Sequence, residues 1–218
     1  MSQDASARPG NLILVPSVIT LAVTLLRLVG ELLGWSPTFF NRSGGGGGAV
    51  IGIVWLVPIF GAWFGWKLTG AGDRSASLWR ALGVTLLALV LLPIAGFVAG
   101  RMGVPQTSLR MLFVFAVASV VAVAIGWRAW PGLGRTLLSY GLAARVPVVV
   151  VMLLAMLANW GTHYDVVPPG VPAMGPIPKW FILGVVPQLT VWIAFTVIVG
   201  SLFGILAAAI ARRRPASV

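Results

Sequence analysis

Six stretches of about twenty residues or more, each nearly free of charge, recur along this chain and dictate its solvent. They cover about 12–34, 49–68, 75–99, 107–130, 142–160 and 180–211. At a rise of about 1.5 Å per residue, each is long enough to cross about 30 Å of hydrocarbon as a helix. Only 9% of the residues are charged and 59% are hydrophobic, where a soluble domain carries about 25% charged residues. Too little polar surface exists to cover such a chain in water. The sequence therefore predicts an all-α integral membrane protein, a six-helix transmembrane bundle. Pro58, Pro93, Pro147 and Pro187 fall within the apolar stretches, and each removes a backbone donor, so kinked helices are expected.

The segments between these stretches differ in kind. Residues 1–11 read as a flexible N-terminal tail. The first apolar stretch lacks an A-x-A site and exceeds an ordinary signal-peptide core, so it is read as a retained helix. Five consecutive glycines, residues 44–48, suggest a flexible connection, or a close backbone approach to a ligand; the ending that marks a phosphate loop is missing. The run P-G-L-G-R-T-L-L-S-Y-G-L-A-A-R over 131–145 is too polar and glycine-rich for a plain span. It is expected to form a short interfacial helix leading into the fifth.

The net charge of +11 does not point to nucleic acid, because the basic residues are scattered between apolar stretches. Sorted by connection, ten fall on one side: Arg8, Lys67, Arg74, Arg80, Arg128, Arg135, Arg145 and Arg212 to Arg214. Four fall on the other, namely Arg42, Arg101, Arg110 and Lys179. Positive charge is retained in the cytoplasm during insertion. Both termini, including the basic tail 212–218, are then cytoplasmic and the proline-rich loop 161–179 faces outward. A bacterial inner membrane is the expected location. Arg212 to Arg214 read as a stop-transfer and anionic-lipid contact. Asn41-Arg42-Ser43 matches a glycosylation acceptor, a motif too short to weigh much.

Few residues here can carry chemistry. Arg27 and Glu31 lie four apart within the first stretch and share one helix face, where they can pair. The pair serves either to lock the first helix in the bundle or to anchor the base of an outward-open cavity. His163, the only histidine, is followed by Tyr164 and Asp165. A histidine beside a carboxylate can hold a tautomer or relay a proton. With one histidine and no cysteine, no metal and no cofactor are expected, and no nucleophile elbow is present. The proline-rich loop is stiff enough to lie across the bundle mouth. It ends in Lys179-Trp180, a pair suited to headgroup level. Gln188 follows Pro187, where a broken hydrogen-bond ladder exposes carbonyls.

Trp35, Trp130, Trp160 and Trp180 fall near stretch ends and read as membrane-interface residues, whereas Trp55, Trp63 and Trp192 are expected to pack or line a cavity. The pairs Gly30-Gly34, Gly61-Gly65, Gly96-Gly100 and Gly200-Gly204 permit close helix approach, first within the monomer and second at a dimer face.

Three function classes are compatible with these residues. The favoured one is a non-enzymatic membrane protein that binds a membrane lipid or a partner protein, with Arg27, Glu31, His163, Tyr164, Asp165, Lys179 and Gln188 as binding residues. A membrane-protein partner or a homo-oligomer fits the same class. The alternatives are a small carrier or channel for an anionic or zwitterionic solute, and an intramembrane enzyme with His163 and Asp165 as its catalytic pair.

Overall fold

The computed structural model describes residues 9–44, 49–106, 108–168 and 171–212. Residues 1–8, 45–48, 213 and 214 lie outside them, so most of the expected tail, the glycine run and two arginines of the basic cluster are not described. The chain is a multi-spanning α-helical protein, with six long apolar helices among the described residues. In order they are α1 (Pro9–Leu32), α2 (Leu56–Gly70, entered through a 3-10 turn at Ile53–Trp55), α3 (Leu78–Arg101), α4 (Leu109–Trp127) and α5 (Pro131–Ala158). The sixth span, Pro176–Ala211, is interrupted. It comprises α6 (Pro176–Lys179), a π-helical segment (Trp180–Val185), α7 (Val186–Leu189) and α8 (Val191–Ala211).

The starts of these helices follow from local chemistry. Ser77 and Ser108 cap α3 and α4, their hydroxyls accepting from the N–H of Arg80 (3.3 Å) and Met111 (3.2 Å). Pro131 occupies the first turn of α5, where its missing N–H costs nothing. α1 is sorted by face. Thr20, Thr24, Arg27 and Glu31 recur at helical spacing and are all buried, while Leu14, Val18, Leu21 and Leu25 are exposed to lipid.

Packing centres on α8, whose most extensive interface is with α2. A side chain at Gly61 would collide with the Gly200 backbone, and one at Gly65 with that of Gly204. The two glycine pairs therefore meet each other across one interface, inside the monomer. Beside it, Phe60 and Phe64 pack edge-on against Tyr140 of α5 at centroid distances of 5.6 and 5.5 Å. With Leu133, Leu137 and Val197, all fully buried, they fill the half of the bundle nearer the chain ends.

Three connections on that side are tied together. The Trp130 indole N–H donates to Asp73 (2.8 Å), the Ser75 hydroxyl donates to the Ala129 carbonyl (3.1 Å), and Arg212 donates to the Ser75 carbonyl (2.7 Å). Trp130 is thus buried at 2% exposure rather than placed at a lipid interface, because its N–H has a carboxylate partner. Trp55 departs from expectation in the other direction. It is 65% exposed, since the 3-10 turn carries it away from the core.

The fifth helix begins at Pro131 rather than near Leu142. The stretch 131–145, expected as a short interfacial helix leading into the fifth, is the continuous first part of α5 and has internal partners. The Thr136 hydroxyl donates to the Gly132 carbonyl (3.0 Å), and the Tyr140 hydroxyl bonds that of Thr20 on α1 (2.8 Å). Gly134 and Gly141 give room to Trp127 and Ile193.

Replacing Gly65 with Val is expected to destabilise the protein by about 1–3 kcal/mol, because two backbones would have to separate. Gly83→Ala, where an added methyl group meets nothing within 4 Å, is the matched control and is expected to be neutral or mildly stabilising. Thermal unfolding in detergent reads both.

Candidate functional site

The end of α5 builds the site by turning sharply. Asn159 adopts the left-handed conformation (φ 52°) and Gly161 repeats it (φ 66°), which stops the helix and aims the chain back at the bundle. Thr162 to Asp165 then closes on itself. The Asp165 carboxylate accepts from the N–H of Gly161 (2.9 Å), the N–H of Thr162 (2.7 Å) and the Thr162 hydroxyl (2.8 Å). The turn presents His163 and Tyr164 inward, their rings 3.8 Å apart.

Glu31 receives that turn. Its Oε1 accepts from Arg27 Nε at 2.9 Å and lies 2.5 Å from His163 Nδ1, and its Oε2 accepts from the His163 backbone N–H at 2.9 Å. Arg27 also donates to the Asn41 carbonyl (3.3 Å), and Arg42 donates to the Glu31 carbonyl. One carboxylate, 1% exposed, thereby joins α1 to the loop after α5, while the arginines draw in the loop after α1. The Tyr164 hydroxyl reaches the Thr24 carbonyl at 3.4 Å.

Burial holds the His163 imidazole below the usual histidine range, against the raising influence of the hydrogen-bonded Glu31 carboxylate. The neutral ring donates from Nδ1 to Glu31 and leaves Nε2 as an acceptor. Burial likewise raises the Tyr164 hydroxyl well above the usual tyrosine range, so the phenol stays neutral.

Behind these residues lies a cavity of about 290 Å³. Its polar lining includes Arg27, His163, Tyr164, Arg145 and Gln188. The rest is mainly apolar, from Val148, Met152 and Met156 of α5, Leu183 of the π segment and Trp192 of α8. Val166 and Pro168, the first part of the proline-rich loop, line its edge, whereas Pro172, Pro176 and Pro178 are exposed away from it.

The expected site residues therefore divide. Arg27, His163, Tyr164 and Gln188 line one cavity, and Glu31 stands behind the wall, holding two of them in place. Lys179 does not line it; its ammonium donates to the Asp165 carbonyl at 3.5 Å. Trp180 is tied to α5 through the Val149 carbonyl (2.9 Å). The expected His163–Asp165 catalytic pair is not formed. Asp165 spends its oxygens on its own turn, and the carboxylate on the imidazole is that of Glu31. Among the described residues no cluster of three potential metal ligands exists.

Arg145 is the residue that sequence reasoning misplaced. The sorting of charges puts it in a connection, whereas it sits midway along α5 at 4% exposure. Thirteen residues separate it from Ala158, about 20 Å of helical rise. Its guanidinium lies 4.7 Å from the centre of the Trp192 ring and donates from Nη1 to Gln188 Oε1 at 3.3 Å. The available signal was the apolar run on its C-terminal side, V-P-V-V-V-V-M-L-L.

The helices define the class: a multi-spanning α-helical membrane protein, with an internal cavity that polar residues line in part. No protein-family model, no curated protein and no solved structure matches the chain.

Because the chain has a single histidine, its titration by NMR reports this site alone. Its pKa is expected below about 6.5, and Glu31→Gln is expected to lower it further, since the raising carboxylate is gone while Arg27 remains. A folded pKa below the unfolded one means that stability from this group is full above about pH 6.5 and declines as pH falls below that value. The same substitution leaves Arg27 without its carboxylate. It is expected to cost about 3 kcal/mol and to speed hydrogen exchange at the His163 amide.

Proposed function

We propose that this is a non-enzymatic membrane protein that takes up a lipid or other amphipathic molecule in the cavity behind His163 and Tyr164. The observation that carries this reading is the make-up of the cavity wall, where Arg27, His163 and Tyr164 stand at the loop edge, Arg145 and Gln188 lie deeper, and apolar Val148, Met152, Met156 and Leu183 complete the lining. A ligand that carries both a polar group and an apolar body matches that lining. The opposite half of the bundle is filled by Phe60, Phe64, Leu133, Leu137 and Tyr140, which supports a site reached from one side only.

Orientation follows from the charges. Taking Arg145, which is buried within α5, out of the sorting by sequence leaves nine basic residues assigned to the side of the chain ends, against four to the loop side. That bias supports a loop 161–179 outside the cytoplasm, with both termini within it. The site then faces outward, toward the periplasm in a bacterium.

A carrier is the second reading, and the interrupted sixth span favours it. Leu183, Pro187 and Gln188 border the cavity from the π segment and α7, with α8 continuing below. Broken helices at a binding site are a recurring device of transporters.

Native mass spectrometry of gently extracted protein tests the first reading. A discrete bound lipid or amphiphile is expected on the wild type, and it should be lost from Val148→Phe, which fills the cavity. A protein that is always bare, yet moves a solute across proteoliposomes, would replace binding by carriage.

A further inference from the structure

Arg145 is a cation held near the middle of a membrane span with no counterion among the described residues. Among the described residues no carboxylate lies within ion-pairing distance of it; the ion pairs there are those of Glu31 with Arg27 and His163. Its neutral neighbours account for only part of the guanidinium. Nη1 is on Gln188, the plane lies over Trp192, and Nε is buried with no hydrogen-bond partner. A charge so placed is costly, and a buried donor left unsatisfied adds a further penalty. A chain that needed this position only for packing would do better with leucine or methionine.

From this geometry we infer that Arg145 is the seat of a singly negative oxyanion, a carboxylate or phosphodiester, carried by a ligand whose remainder is apolar. The inference rests on the proposed cavity-binding reading and adds the charge of the ligand. Arg27 and Glu31 already match each other (2.9 Å). The cavity therefore contributes one uncompensated positive charge, and a single negative charge balances it. The edge of a guanidinium containing Nε presents parallel donors to two oxygens of an anion. Trp192 lies over one face of the guanidinium and Gln188 takes Nη1, so Nε is the donor left without a partner. The apolar part of the ligand would lie along Val148, Met152 and Leu183.

The ligand can come from water as an organic acid or from the bilayer as an anionic lipid, and the experiment separates these sources. Purified protein in phosphatidylcholine nanodiscs is titrated by calorimetry with 1-naphthoate and with its neutral isostere 1-naphthamide. Naphthoate is expected to bind at least about tenfold more tightly, the worth of one charge-assisted fork. Arg145→Gln should abolish that preference while keeping or raising the unfolding temperature, and Arg145→Lys should retain part of it. In nanodiscs doped with phosphatidylglycerol, displacement of naphthoate assigns the site to a lipid, and undiminished binding assigns it to a soluble acid; both uphold the oxyanion.

Equal affinity for the acid and the amide overturns the inference and leaves the cavity reading standing. Failure of both probes to bind, together with a bare wild-type protein by native mass spectrometry, overturns the two together. A marked loss of stability in Arg145→Gln makes Arg145 a structural residue and also overturns the inference.

Discussion

The carboxylate of Glu31 carries the loop side of this protein. In a medium that offers no water, a buried charge is costly unless hydrogen-bonding partners are supplied nearby. Glu31 meets that demand with Arg27 from its own helix and with both the ring and the backbone of His163. The partners come from segments far apart in the chain, so satisfying the charge also fixes the course of the backbone. The turn at 162–165 has its own internal cross-link through Asp165 and arrives as a rigid unit. Two carboxylates thus divide the work. Asp165 shapes the loop and Glu31 docks it.

The two halves of the bundle solve the problem of packing without water in different ways. Toward the chain ends, glycines bring α2 and α8 to backbone contact, and aromatic rings fill what remains. Dispersion between closely fitted surfaces is the main attraction available there. Toward the loop side the helices stand apart around a cavity, and specific polar bonds replace close fit. The tight half supplies rigidity and the open half supplies a site. Tyr140 stands at the boundary, packed on Phe60 and Phe64 while its hydroxyl joins Thr20.

Much of this organisation was legible in the residues. Apolar length alone gives six helices, and the spacing of Arg27 and Glu31 gives their pairing, because both are local properties of a helix. The glycine pairs announced close contacts, though not that two of them would face each other. What sequence could not give was set by contacts between distant segments. His163 stands two residues from Asp165, yet its carboxylate partner is 132 positions away. Arg145 follows a glycine-rich run that resembles a connection, and only the continuous α5 shows it to be interior. Trp130 looked like an interface residue until Asp73 claimed its N–H.

The π-helical segment Trp180–Val185 carries a consequence for how this architecture can vary. A turn closed by bonds five residues apart holds one residue more than an α-turn. That surplus rotates everything before it by about 100° relative to an unbroken α-helix leading into α8. The orientation of the outer part of the span about Arg145 is therefore a matter of phase, set by how many residues the segment contains. Gain or loss of one residue there would re-aim a wall of the cavity without altering a side chain and without disturbing the glycine contacts of α8. In descendants of such a chain, single-residue insertions and deletions at this turn would act as a coarse selector of ligand shape, with point substitutions refining the result.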